Sequence, residues 1–160
     1  MEMDKLRCFI KNHPDLIINK NEISIPRECR DEFYALFDDV RKSFVEKRLP
    51  SLPVDASTLS EKYMQIEKDI LEQLGVERID IPIDLHSFLH NPKEGLIRSI
   101  YGRLFELLQG KIADEEFETL AENDLHWAAL ELYRLGYEMW AALTFINLLA
   151  GLVIKTSGTV

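Results

Sequence analysis

Apolar residues recur at three- and four-residue intervals along most of this chain, and alternate with polar ones in only two short stretches. Residues 3–12 form one helical pattern, with Leu6, Phe9 and Ile10 on one side. His13-Pro14 ends it, because the residue before a proline is biased away from the helical region. Leu16–Ile25 reads as a small β-hairpin, two β-branched runs flanking Asn19-Lys20-Asn21-Glu22. From Pro26, a favoured first helical residue, to about Arg48, the apolar positions Cys29, Phe33, Leu36, Phe37, Val40, Phe44 and Val45 predict a helix with one wet face. A second amphipathic helix spans Ser57 to Leu74 and stops at Gly75, a natural left-handed end.

Arg78–Ile83 alternates like a strand, which Pro82 restricts to an edge, where it could pair with the hairpin. Asn91-Pro92-Lys93-Glu94 carries a cap side chain, a proline at the first position and an acid three residues after the cap. The helix it opens runs to Leu108 through Leu96, Ile100, Leu104 and Phe105. It contains Gly95 and Gly102, each costing about 1 kcal/mol relative to alanine. Close approach of another helix near Gly102 would account for one of them. Asp114, followed by Glu115 and Glu116, starts the last helical stretch.

The closing pattern differs from the rest. Trp127 to Glu138 keeps charge on one side, whereas Met139 to Ile154 carries none over 16 residues. As a helix this run is about 24 Å long, short of the roughly 20 residues that span a bilayer. Asn147 in its middle and the absence of a flanking Lys/Arg cluster also argue against a span. A helix apolar on every side must be covered on every side. The expectation is therefore a central core helix, enclosed by the faces at Phe33–Phe44, Leu59–Leu74 and Leu96–Leu108. The alternative is a partly exposed helix that pairs with its own copy or with sequence beyond Val160. Gly136 leaves open whether this stretch is one helix or two.

Together these elements predict a mainly α fold, an irregular bundle of five to six helices with a minor β-hairpin near the N-terminus. Residues 1–160 fit a single helical domain, long enough to bury most of its apolar surface. The final "KTSGTV" offers no decisive stop, so the chain also fits the N-terminal part of something longer.

Charge narrows the partners. The net charge is −9, with −4 in residues 1–80 and −5 in residues 81–160. Neither half has the basic footprint of a nucleic-acid or anionic-membrane binder. The nearest basic cluster, Arg41, Lys42, Lys47 and Arg48, lies near a helix end, where cations complement the dipole. The two cysteines, Cys8 and Cys29, have no CxxC spacing, and the opening "MEMDKLR" lacks a secretory pattern. A reduced, cytoplasmic setting follows as the expectation.

Candidate chemistry centres on "DIPIDLHSFLH", Asp80 to His90. On a helix, His86 and His90 fall on the same side and could share a Zn or Fe ion. Asp84 and His126 are the candidates to complete the ligand set, with Asp80 and Glu131 as further donors. The run lacks the glutamate that follows the first histidine in HExxH metalloproteases. The acids Asp114, Glu115, Glu116, Glu118 and Glu122 lack the spacing and turn glycine of a calcium loop and read as a solvated helix face. The chain contains no GxSxG elbow, phosphate loop, GxGxxG or internal repeat. The expected function is a non-catalytic protein-interaction or regulatory domain, self-associating through the apolar C-terminal helix. A metal-binding module or metal-dependent enzyme built on His86 and His90 is the alternative.

Overall fold

The structure is a computed structural model. It describes residues 1–157, with the side chains of residues 52–55, 156 and 157 excepted. The last residues of "KTSGTV", on which the reading of the chain's end rested, lie outside that range. In chain order the elements are α1 (Glu2–Asn12), β1 (Ile17–Ile18), β2 (Ile23–Ser24), α2 (Arg27–Arg48), α3 (Leu52–Leu74), α4 (Ile83–His90), α5 (Pro92–Ile97), a 3-10 turn at Arg98–Ile100, α6 (Tyr101–Leu108) and α7 (Asp114–Ser157). The fold is mainly α with one small hairpin, as the periodicity predicts.

Contacts divide the chain into two compact units. The first holds Met1–Pro50 and Leu96–Ala128. Here α1 packs on α2, and Leu6, Phe33, Phe37, Leu104 and Leu125 are fully enclosed. Phe37 meets Phe105 at 4.6 Å and Tyr101 at 5.2 Å between ring centroids, and such tilted and edge-on contacts suit the aromatic quadrupole. The hairpin pairs Ile17 with Ser24 and Ile18 with Ile23. Its turn is held by Asn19 Oδ1, which accepts from the backbone N–H groups of Asn21 and Glu22 at 3.0 Å.

The acidic start of α7 is used structurally in this unit. Arg7 pairs with Asp114 at 2.6 Å, Arg48 with Glu118 at 2.8 Å and Glu122 at 3.2 Å, and Arg103 with Asp124 at 2.7 Å. Asp114, Glu118 and Glu122 therefore tie α7 to α1 and α2, a role that periodicity alone does not reveal. The sequence-level basic cluster dissolves for the same reason. Arg48 faces acids, and Arg41 is buried.

The second unit holds Ser51–Gly95 and the part of α7 from Ala129 onward. Leu59, Tyr63, Ile66 and Ile70 of α3 form its buried face with Leu85, Phe88 and Leu89 of α4. Ser60 Oγ donates to the Leu89 carbonyl, fixing α4 along α3. A Cβ on Gly136 would stand 2.8 Å from Leu59 Cδ2, Lys62 Nζ lies 4.9 Å from the Trp140 ring, and a Cβ on Gly151 would stand 3.6 Å from Gln73 Nε2. These partners advance together along both helices, so α3 and this part of α7 run parallel.

Several local expectations are corrected. Arg78–Ile83 forms no strand. Arg78 and Asp80 pair with each other at 3.0 Å in solvent, and Pro82 stands immediately before α4. The helix expected from Pro92 to Leu108 is broken by the 3-10 turn, where Ser99 Oγ donates back to the Leu96 carbonyl at 2.8 Å. Pro26 caps α2 with an extended backbone and does not begin it. Gly102 has nothing within 4 Å of its Cβ position, so the close approach expected there is absent. It occurs at Gly95 and Gly136 instead. Gly136 is no joint either, since α7 is continuous over 44 residues.

Candidate interaction surface and histidine pair

The largest departure from expectation concerns Met139–Ile154. The core position predicted for this run is not what forms. One face of α7 is covered: Gly136 and Leu143 are buried, and Met139, Trp140, Thr144, Asn147 and Gly151 are half-buried. The opposite face stands in the open, with Phe145 62%, Leu148 63% and Leu152 60% exposed. Asp114–Lys155 contains a window long and apolar enough to cross a membrane, and only 6% of that window is buried.

The exposed positions have a pattern. Leu130, Arg134, Tyr137, Ala141, Phe145, Leu148 and Leu152 follow one another at intervals of three or four. That spacing forms a single stripe about 33 Å long. Arg134 is its one charged member and is already engaged, donating to Glu131 at 2.7 Å and Glu138 at 2.7 Å on the same helix. Those two carboxylates hold the guanidinium pKa above its ordinary value, and the hydrogen bond from the guanidinium holds the Glu131 carboxyl below its own.

The histidine pair was legible in the sequence and does assemble. His86 and His90 stack with ring centroids 4.1 Å apart on α4. His90 Nδ1 donates to the His86 carbonyl at 2.8 Å, and His90 Nε2 lies 3.7 Å from Glu67 Oε2 of α3. Glu67 Oε1 accepts from the Tyr63 hydroxyl at 3.1 Å. Burial first, then the Glu67 carboxylate, push the Tyr63 phenol well above its usual pKa. Asp84 lies exposed in the first turn of α4, and His126 is exposed on the segment of α7 that belongs to the first unit. As the side chains stand, no three His, Cys, Asp or Glu groups among the described residues are placed to hold a metal ion. Glu67, the acid that does face His90, was missed because it lies 23 positions away on another helix. Only the packing of α4 on α3 brings the two together.

No protein-family model, curated protein or solved structure matches this chain.

Cys8 is exposed and Cys29 buried, and both are free thiols. The open stripe on α7 is an extended apolar surface at helical spacing, and exposed apolar patches mark protein–protein or membrane contact surfaces. α3, running parallel to α7, presents Glu61, Lys62, Lys68 and Glu72 to solvent. Placing α7 within a bilayer would carry those charges toward hydrocarbon at a cost of several kcal/mol.

Proposed function

We propose that this protein is a non-catalytic, self-associating interaction domain, in which the exposed stripe of α7 pairs with the same stripe of a second copy. The observation that carries this reading is the run Phe145, Leu148 and Leu152, each about three-fifths exposed among the described residues. A stripe at three- and four-residue spacing is the form in which one helix seats on another. A second copy offers a matching occupant, the same apolar stripe, and its apolar contact has to outweigh the net charge that opposes association. Two chains of net charge −9 repel through most of their surfaces. Contact through Met139–Ile154, which carries no charge, adds no like-charge contact of its own while removing apolar area from water at about 25 cal/mol per Å². The charged flank of α3 supports an aqueous setting over a membrane-inserted one.

Light scattering coupled to size separation tests the proposal. The expected mass is twice that of one chain at micromolar concentration, and a Leu148→Glu/Leu152→Glu variant with unchanged circular dichroism is expected to run as a monomer. A wild-type monomer at all concentrations overturns it. So does recovery of the wild-type protein with neutral lipid vesicles in place of a dimer.

A further inference from the structure

We infer that His86, His90 and Glu67 form a binding site for a divalent transition-metal ion, zinc foremost, with Tyr63 as the residue that positions Glu67. One face of α3 builds the site, because Ser60, Tyr63 and Glu67 recur at helical spacing toward α4. Ser60 holds the Leu89 carbonyl, Tyr63 sets its ring edge-on to His90 at 6.2 Å, and Glu67 faces His90 Nε2.

The proton positions make this pairing informative. A carbonyl oxygen only accepts, so the 2.8 Å contact to the His86 carbonyl puts a proton on His90 Nδ1. In the neutral ring, Nε2 then bears a lone pair, and it points at a carboxylate oxygen 3.7 Å away. A lone pair and a carboxylate oxygen that face each other are satisfied by a positive charge between them, supplied by a proton on Nε2 or by a metal ion. A metal fits there: zinc bound about 2.0–2.2 Å from a nitrogen and an oxygen in tetrahedral geometry sets those two atoms about 3.4 Å apart. The gap needs to close by roughly 0.3 Å for that geometry. His86, stacked 4.1 Å from His90, would have to rotate its ring to supply the third donor. Two imidazoles and one carboxylate constitute an established ligand set for zinc, and with open positions for iron(II).

The surrounding bonds match those that orient metal ligands elsewhere. A metal-bound histidine donates its other ring N–H to a carbonyl or carboxylate, as His90 does, and the ligating carboxylate is itself hydrogen-bonded, as Glu67 is by Tyr63. Asp84 and His126, the partners suggested by sequence alone, are not needed.

Chelator-stripped, full-length protein titrated with zinc against a chromophoric indicator tests the inference. One ion per chain is expected. His86→Ala, His90→Ala and Glu67→Gln should each weaken binding more than tenfold, while His126→Ala binds as wild type does. Tyr63→Phe should weaken it by about 10- to 100-fold, the range for a residue that orients a ligand. Cobalt provides a second readout, its visible absorption expected to change in Glu67→Gln with the apo-protein's circular dichroism unchanged. Absence of saturable one-to-one binding overturns the inference. So does wild-type affinity in both His86→Ala and Glu67→Gln, or loss of the ion in His126→Ala. Chain mass in solution is independent of these outcomes, so the metal site and the self-association stand or fall separately.

Discussion

A Cβ placed on Gly95 would lie 2.6 Å from the Cα of Phe88, closer than carbon atoms approach without backbone movement. The α4–α5 turn is thereby compressed onto the buried Phe88. Gly95→Ala must displace main chain and is expected to lower stability by about 2–3 kcal/mol, the range for overpacked sites. Gly102 is the control. Its backbone φ is not positive and its Cβ position is empty, so Gly102→Ala should raise stability by about 0.5 kcal/mol through reduced freedom of the unfolded chain. Urea unfolding of the two variants should move the midpoint in opposite directions.

Arg41 is 7% exposed and donates to the Ile97 carbonyl at 3.0 Å while pairing with Asp38. Its guanidinium also lies 5.1 Å from the ring centroids of both Phe37 and Tyr101. Arg41→Leu is expected to cost about 2 kcal/mol, less than a fully enclosed pair would, because Asp38 retains partial access to water. Arg41→Lys should recover less than half of that. An ammonium can neither reach both acceptors as a fork nor stack flat between two rings. Chemical denaturation of the three proteins checks the ranking.

The phenol of Tyr101 is pushed up to about 12, first by burial and then by its hydrogen bond with Tyr34, while Arg41 opposes the shift. A phenol ionises near 10 in the unfolded chain. The folded state therefore binds its proton more tightly. The stability linked to Tyr101 is fully present below pH about 10 and is lost as pH rises toward about 12. Phenolate absorbance should show two of the five tyrosines titrating late, Tyr63 and Tyr101, and Tyr34→Phe should bring the Tyr101 midpoint down without restoring the ordinary value. A midpoint that does not move in Tyr34→Phe would count against the hydrogen bond as a cause.

Ser60 joins α3 to the last turn of α4 by one bond to the Leu89 carbonyl. Ser60→Ala leaves that partly buried carbonyl without this donor and should lower stability by about 1 kcal/mol. Hydrogen exchange should speed up in Leu85–His90 more than in α2. Equal acceleration throughout would indicate a global effect.

Much of the fold was legible because core contacts in helical proteins are written at the spacing of one turn. Phe33, Phe37, Val40 and Val45 in α2, and Leu59, Tyr63, Ile66 and Ile70 in α3, are all buried as their periodicity implies. Gly75 ends α3 with φ 65°, the conformation expected of a terminal glycine. The strand reading at Arg78–Ile83 failed because alternation over so few residues specifies a strand only when a neighbour offers free ladder groups. Gly102 was chosen over Gly95 because a sequence shows where a glycine is costly but not which one another chain segment approaches. The histidine pair was visible through its spacing on one helix, while Glu67 was invisible because its proximity is a product of packing.

By itself, the sequence determined the helical periods, the hairpin, the charge excess and the absence of charge from Met139 to Ile154, since these depend only on residue identity and local geometry. The tertiary structure decided what each apolar face meets. An uncharged helix can serve equally as a core or as a surface. The choice turns on whether enough other faces are left over to cover it. Here the faces of α2 and α6 are used within the first unit, and that of α3 is shared with α4. Only one side of α7 beyond Ala129 is covered. The same packing placed Glu67 opposite His90, a juxtaposition that no interval along the chain encodes.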